Sequence, residues 1–442
     1  MIKSNTIHRV FLLITVLCSL STASFSQDES LPPVDVERLK AKIGSLRTTE
    51  LVMSMSQRSL VMPAYLTQLK ALIAKQAYNF WSGTYSEPYV SHLNVYSALH
   101  EANKAIDFDS LRIRTYNQVG FHDNSVTSIE FGSDPNTYYS ASKDGSVVKW
   151  NLRDPTGSPE VIYESDHIIR SLDVSDDGRW LMAAFYQTGM VLISTERSFG
   201  SDAMLFEDSE PVQTAIFIPN EQKYLSVSRD GSLKVKGFYV ETKQVGETKN
   251  TITSLQIDPE KGDIYAGTME GILESWDEMS YFGYQLGSFP ILCLDISPDG
   301  KLLAVGRERG DVILWDIENN LLERVIQGHQ SAVTDLEFSP DSQLLLTTSR
   351  DKTARLWELS DSRKLPIVME DHQDWVLTGC FDPSGEYIIT GSKDQLIRTW
   401  PTKPQTLADR ICSFLDRNMS KEEWNEFVGA DIPYQKTCPE ID

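Results

Sequence analysis

One spacing recurs three times in this chain and leaves little freedom for the fold. A histidine is followed after 20 residues by a serine, after 2 more by an aspartate and after 6 more by a tryptophan. The sets are His122, Ser142, Asp144 and Trp150; His329, Ser349, Asp351 and Trp357; and His372, Ser392, Asp394 and Trp400. The stretches align without gaps, as "HQSAVTDLEFSPDSQLLLTTSRDKTARLW" does on "HQDWVLTGCFDPSGEYIITGSKDQLIRTW". Four weaker copies fill the interval between the first and second sets. With the tryptophan slot as ruler the units fall at 150, 194, 236, 276, 315, 357 and 400, giving seven units with a period of 39 to 44.

Each unit carries apolar runs rich in β-branched residues, separated by "SPDG"-type turns, which is the pattern of antiparallel strands. Such a unit cannot bury its faces alone and must stack on its neighbours. The repeats resemble the WD40 family in their period, in "GH" at Gly328 and His329, and in "WD" at Trp276 with Asp277 and Trp315 with Asp316. The resemblance implies an all-β, seven-bladed propeller over residues 111–400, its four-stranded blades set around a central channel, with α-helical extensions at both ends. After Trp400 the chain reads "PTKPQ", whose two prolines make a poor outer strand. The stretch from Arg112 to Val119 occupies the place that "LERVIQG" holds before His329, so it is expected to complete the last blade and close the ring.

Serine, histidine and aspartate are also the parts of a hydrolase. A catalytic site, however, needs one strained serine and an oxyanion hole, whereas this constellation occurs in triplicate with a tryptophan attached each time. The resemblance implies a buried brace instead, the histidine linking the serine hydroxyl, the aspartate and the indole N–H within a blade. No catalytic residue, cofactor or metal is therefore expected. There is no G-x-x-x-x-G-K-[ST], HExxH or CxxC, and His92 and His100 read as imidazoles on a helix surface.

The flanks differ in composition. Leu66, Leu69, Ile73, Ala77 and Phe80, then Leu93, Tyr96, Leu99 and Ile106, lie at helical spacing with "SGTYSEP" as the turn between them. An earlier helix is expected from Val36 to Leu46, and Ser420 with Glu423 forms a capping box opening a C-terminal helix over 401–442. Ring closure brings both ends together, so these helices are expected to share one cap. The tail "RNMSKEEWNEFVGADIPYQKTC" also looks like the segment after the propellers of bacterial WD40/NTPase signalling proteins.

Residues 1–26 combine Lys3 and Arg9 with an apolar run from Val10 to Leu20, too short to span a membrane, which reads as a signal peptide ahead of a helical segment, 27–110. The expectation is an exported protein, periplasmic or extracellular, with no transmembrane segment after signal removal. Oxidation of Cys412 with Cys438 is expected there, and Cys293 and Cys380, inside strand patterns, read as buried thiols. A formal net charge of -22 repels phosphate backbones, so no nucleic acid partner is expected.

The residue before each network aspartate, or its equivalent, is Lys143, Gln187, Arg229, Met269, Glu308, Arg350 or Lys393. The family places this slot near the channel mouth. Lys143, Arg229, Arg350 and Lys393 are then a candidate cationic ring, set against a plain solvent-exposed turn. Trp375, at the slot held by Ser125 and Ala332, is a candidate interaction anchor, set against packing under the cap. The reading is a non-enzymatic scaffold for a protein partner, monomeric or part of a complex. The alternatives are a small-ligand or glycan binder at the channel mouth and a propeller hydrolase.

Overall fold

The computed structural model describes residues 36–82, 91–109, 117–154, 158–186, 189–195, 206–208, 212–237, 242–277, 280–361 and 364–441. The signal segment, Gln187, Arg112 and the "SGTYSEP" turn after Ser82 lie outside these residues. Residues 48–442 form one compact unit, which is the subject here, and 1–47 another.

Twenty-eight strands among the described residues form seven antiparallel sheets of four. Blades 1 to 6 take their strands in sequence from 126–164, 169–208, 212–247, 252–285, 291–327 and 333–369. Blade 7 does not. Its inner three strands, Val376–Phe381, Tyr387–Ser392 and Leu396–Pro401, receive their outer strand from Gln118–Phe121 at the other end of the ring. Gln118 pairs with Arg398, Gly120 with Ile397 and Phe121 with Leu396. The ring is therefore closed by the chain before His122 as expected, but the strand lies at Gln118–Phe121 and shares only Gln118 and Val119 with the expected Arg112–Val119 stretch, whose residues 112–116 lie outside the described residues.

Register corrects one detail. Leu181 pairs with Ile193 as Tyr138 pairs with Trp150, so the tryptophan slot of blade 2 is Ile193, one residue before the ruler position 194.

Inner strands are joined across blades by side chains reaching the next backbone. Thr127 donates to the carbonyl of Ile169 (3.0 Å), Thr253 to that of Ile291 (2.6 Å), and Thr378 accepts from the N–H of Ile129 (3.3 Å), which links blade 7 to blade 1. Carboxylates do the same: Asp295 accepts from the Phe338 N–H (2.7 Å), Glu337 from Phe381 (2.8 Å), Asp335 from Gly379 (3.1 Å), and Asp173 from Phe217.

Helices α1 (Val36–Val61), α2 (Thr67–Ser82) and α3 (Ser91–Asp109) precede the propeller strands in the chain, and α4 (Pro404–Cys412) and α5 (Lys421–Trp424) follow them. The first runs well past the Val36–Leu46 expectation. From Val52 onward the helices share one apolar cluster with blades 6 and 7, including Leu72, Leu99, Leu356, Ile388, Trp400, Ile411 and Trp424. Arg410 fastens α4 to α3 by donating to Asn103 Oδ1 (2.7 Å) and Asp107 Oδ1 (2.6 Å). The Ser420–Glu423 capping box is present, and Cys412 is bonded to Cys438. No helix among the described residues is long and apolar enough to cross a membrane.

The Cys412–Cys438 bond closes a loop of 26 residues. Replacing both cysteines by alanine is expected to lower stability by about 3 kcal/mol, read as a lower urea midpoint at unchanged slope. A reductant should reproduce the loss in the parent protein only.

Candidate interaction face

The three histidine sets are braces, with one change of partner. Trp150 donates its indole N–H to Ser140 Oγ (2.7 Å), Ser140 lies 2.7 Å from His122 Nε2, and His122 Nδ1 lies 3.1 Å from Asp144 Oδ2. In blade 6 Thr347 takes this place between Trp357 (2.8 Å) and His329 (2.9 Å), and in blade 7 Thr390 does between Trp400 (2.9 Å) and His372 (2.8 Å). His329 and His372 then bond Asp351 and Asp394, each at 2.9 Å. In each brace the hydroxyl oxygen accepts from the indole N–H and faces one imidazole nitrogen, while the other imidazole nitrogen faces the aspartate.

Ser142, Ser349 and Ser392 are not the bridging hydroxyls expected from the spacing. Each accepts the backbone N–H of its own aspartate, at 3.1, 3.0 and 3.0 Å, and so shapes the turn. Strand geometry explains the shift: residues two apart share a face, and the earlier hydroxyl stands one diagonal step from the tryptophan, the later one two. The readable signal was a hydroxyl residue two places upstream, in "SAS", "TTS" and "TGS".

Charge in the braces follows from burial and partners. Burial lowers His329 and His372 below the ordinary histidine value, the aspartate contacts opposing it. Burial raises Asp351 and Asp394, but the histidine hydrogen bonds and charge outweigh it and hold both below the usual carboxylate range.

His100 is buried, not on a helix surface. Its Nε2 lies 2.9 Å from Asp371 Oδ2, and Lys104 (2.7 Å) and Asn117 (2.8 Å) donate to the same carboxylate. His100, Glu101 and Asp371 are close enough to hold a cation, but Lys104 already bridges both carboxylates, at 2.8 Å from Glu101. The apolar stripe of α3 turned His100 inward because Trp400 packs beside it, ring centres 5.3 Å apart.

On the face carrying the second-to-third strand turns, one backbone hydrogen bond fixes equivalent slots in six of the blades among the described residues. The N–H of Lys143, Arg350 and Lys393 bonds the carbonyls of Ser125, Ala332 and Trp375, and Tyr186 bonds Ile168 in the same way. Tyr186 therefore holds the blade 2 slot assigned to Gln187, an error inherited from the one-residue ruler shift. Trp375 is 39% exposed and lies outside the cap cluster. Its ring lies 5.0 Å from the Arg350 guanidinium and 4.5 Å from Lys393 Nζ, which Asp374 holds at 3.3 Å. Three of the five candidate interaction residues thus meet at blades 6 and 7. Lys143 and Arg350 line the channel mouth, while Arg229 is exposed on blade 3 away from this cluster.

The channel cavity, about 620 Å³, has an acidic wall below this rim, including Glu130, Asp173 and Asp335. Arg170, which sequence reasoning did not single out, crosses from blade 2 to the carbonyls of Gln213 (2.7 Å) and Thr253 (3.4 Å). Burial pushes Asp173 and Asp295 up to about 7 and Asp335 to about 6, against their backbone donors, and raises Glu130 and Glu337 as well.

Comparison with known proteins bears on this architecture. The WD40 family, described as WD domain, G-beta repeat, matches residues 113–151, 281–316, 321–358 and 363–401. Periodic tryptophan protein 2 homolog of Dictyostelium discoideum is 23% identical over 212 residues, 46% of this chain and 23% of that protein. Target of rapamycin complex subunit wat1 of Schizosaccharomyces pombe is 28% identical over 212 residues, 45% of this chain and 67% of that one. The chain thus spans under a quarter of the first relative's length. The WD40 β-propeller domain of Doa1 superposes with a TM-score of 0.57 at 17% identity, covering 65% of this chain and 97% of that domain.

Two outcomes test these assignments. Thr390→Val is expected to cost about 2 kcal/mol by leaving His372 and Trp400 without their shared hydroxyl, with Ser392→Ala costing less, measured by urea unfolding. Asp295 is raised to about 7, so its contribution is present below the unfolded value near 4 and lost as pH rises through 7. Between pH 5 and pH 8 the parent should therefore lose about 2 kcal/mol more stability than Asp295→Asn.

Proposed function

We propose that this WD40-repeat propeller is a non-enzymatic scaffold that docks an acidic segment of a protein partner at blades 6 and 7. The carrying observation is Trp375, an exposed indole flanked by Arg350 and Lys393. A tryptophan between two cations offers apolar area and charge on one rigid platform, the composition of interaction hot spots. Lys143 extends the positive rim toward blade 1 and favours an anionic partner in a chain of net charge -22.

Two features support a scaffold over an enzyme. The repeated histidines are committed to braces, and among the relatives are proteins named as subunits of a target of rapamycin complex. Export to an oxidising compartment belongs to the same proposal, supported by the apolar run from Val10 to Leu20 and the Cys412–Cys438 bond.

Affinity purification followed by mass spectrometry identifies the partner, and variants then test the face. Trp375→Ala and the double change Arg350→Glu with Lys393→Glu are expected to weaken capture at least about tenfold while moving stability by under about 0.5 kcal/mol. Undiminished capture by both variants rejects the proposal.

A further inference from the structure

A second site emerges from comparing the blades with one another. Four blades keep the turn aspartate: Asp144, Asp230, Asp351 and Asp394. On the third strand of each, the residue facing the bridging hydroxyl position is Val148, Lys234, Arg355 and Arg398, as the pairings Ser140 with Val148, Ser226 with Lys234, Thr347 with Arg355 and Thr390 with Arg398 show. Three of the four place a cation there. In blade 6 the Arg355 guanidinium lies 3.8 Å from Asp351, and its Nε is 3.5 Å from Thr353. In blade 7 Arg398 is 7% exposed and donates to Asn117 Oδ1 (3.1 Å). In blade 3 the charge of Lys234 helps to hold Asp230 low, after the Ser232 hydrogen bonds.

Blade 1 has the aspartate and the brace but a valine in the cation's place. What stands beside Val148 is a cavity of about 620 Å³, and Asp144 forms part of its wall. Asp144 is correspondingly more open, its side chain 18% exposed against 9% for Asp351 and 8% for Asp394. Asp123, Glu164 and Asp166 add negative charge at the rim, and Trp150 forms an aromatic side. Negative charge, an indole surface and an open cavity between them are together the chemistry that receives a guanidinium.

We propose that this cavity is a binding site for an arginine side chain presented by a partner protein, which supplies from outside the cation that blades 6 and 7 supply from their own third strands. An arginine is favoured over a lysine because its planar fork can bond the carboxylates while lying against Trp150. The site is distinct from the Trp375 platform in charge and in position, so the two could engage opposite charges on one partner or on two.

The test uses the full-length protein and a short capped peptide containing one arginine, with citrulline at that position as the neutral isostere. Calorimetry is expected to show binding of the arginine peptide that weakens at least about tenfold with citrulline. Val148→Arg fills the slot as the sister blades do; it should fold with unchanged or higher melting temperature and lose arginine-peptide binding at least about tenfold. Should that variant fail to fold, Glu164→Gln with Asp166→Asn, both at exposed positions, should weaken binding in the same direction. Arg350→Glu with Lys393→Glu should leave this affinity intact, which separates the site from the Trp375 platform. Equal affinity for the two peptides, no binding of the arginine peptide at about 5 mM, or full binding by a folded Val148→Arg variant overturns the proposal.

Discussion

Everything in this molecule depends on four residues, Gln118–Phe121, pairing with a strand nearly three hundred residues later. Gly120 makes that possible at close quarters. A Cβ there would sit 2.9 Å from the Trp150 ring, so the closing strand is pressed against the brace of blade 1 as it pairs with blade 7. Closure sets the ring's circumference, and the threonines and carboxylates of the inner strands then reach from one blade to the next backbone. Those carboxylates oppose the closure electrostatically, since burial raises them while the backbone donors favour their charged form.

Degenerate repeats show that the brace is a role and not a residue set. Blade 4 has no histidine at the brace position. Buried Glu274 instead accepts from Thr248 (3.0 Å), Asn250 (2.6 Å) and Tyr281 (2.9 Å), tying the third strand to the outer strand and to the loop that leads into the blade. Blade 5 uses Arg307, which bonds Asp311 (3.0 Å through Nε) and the Leu286 carbonyl (2.6 Å). Each solution gives buried polar groups partners within the blade, where an unmade bond costs about 1–3 kcal/mol.

The repeat count, the ring closure and the shared helical cap were legible because each follows from periodicity or from geometry that one chain end imposes on the other, and the disulfide pair because Cys412 and Cys438 bracket one short C-terminal segment. The bridging hydroxyl was not, because Ser140, Thr347 and Thr390 vary in identity while the adjacent Ser142, Ser349 and Ser392 do not. Identity tracked the turn, and hydrogen bonding tracked the alternation of the strand. His100 was misplaced because a helix alone does not reveal which neighbour will cover it. Tyr186 and Ile193 were each one place away from their assigned slots, since blade 2, like blade 3, lacks the tryptophan that sets the register in the other five. The empty slot beside Val148 becomes visible only when equivalent pairings in different blades are compared.

The knot around Asp371 carries a consequence for the order of events during synthesis. Lys104 and Asp371 are 267 residues apart, and His100, Lys104 and Asn117 must all wait for that aspartate and for the neighbouring His372 brace. The segment made first is thus settled last, as is typical of contacts with large sequence separation. Until the final blade is made, helix α3 has α2 to pack on but not Trp400 or the Asp371 carboxylate, and the closing strand has no mate. A nascent chain stopped anywhere before blade 7 is therefore an open arc with an idle clasp, and completion of the last repeat is a checkpoint that the sequence builds into its own translation.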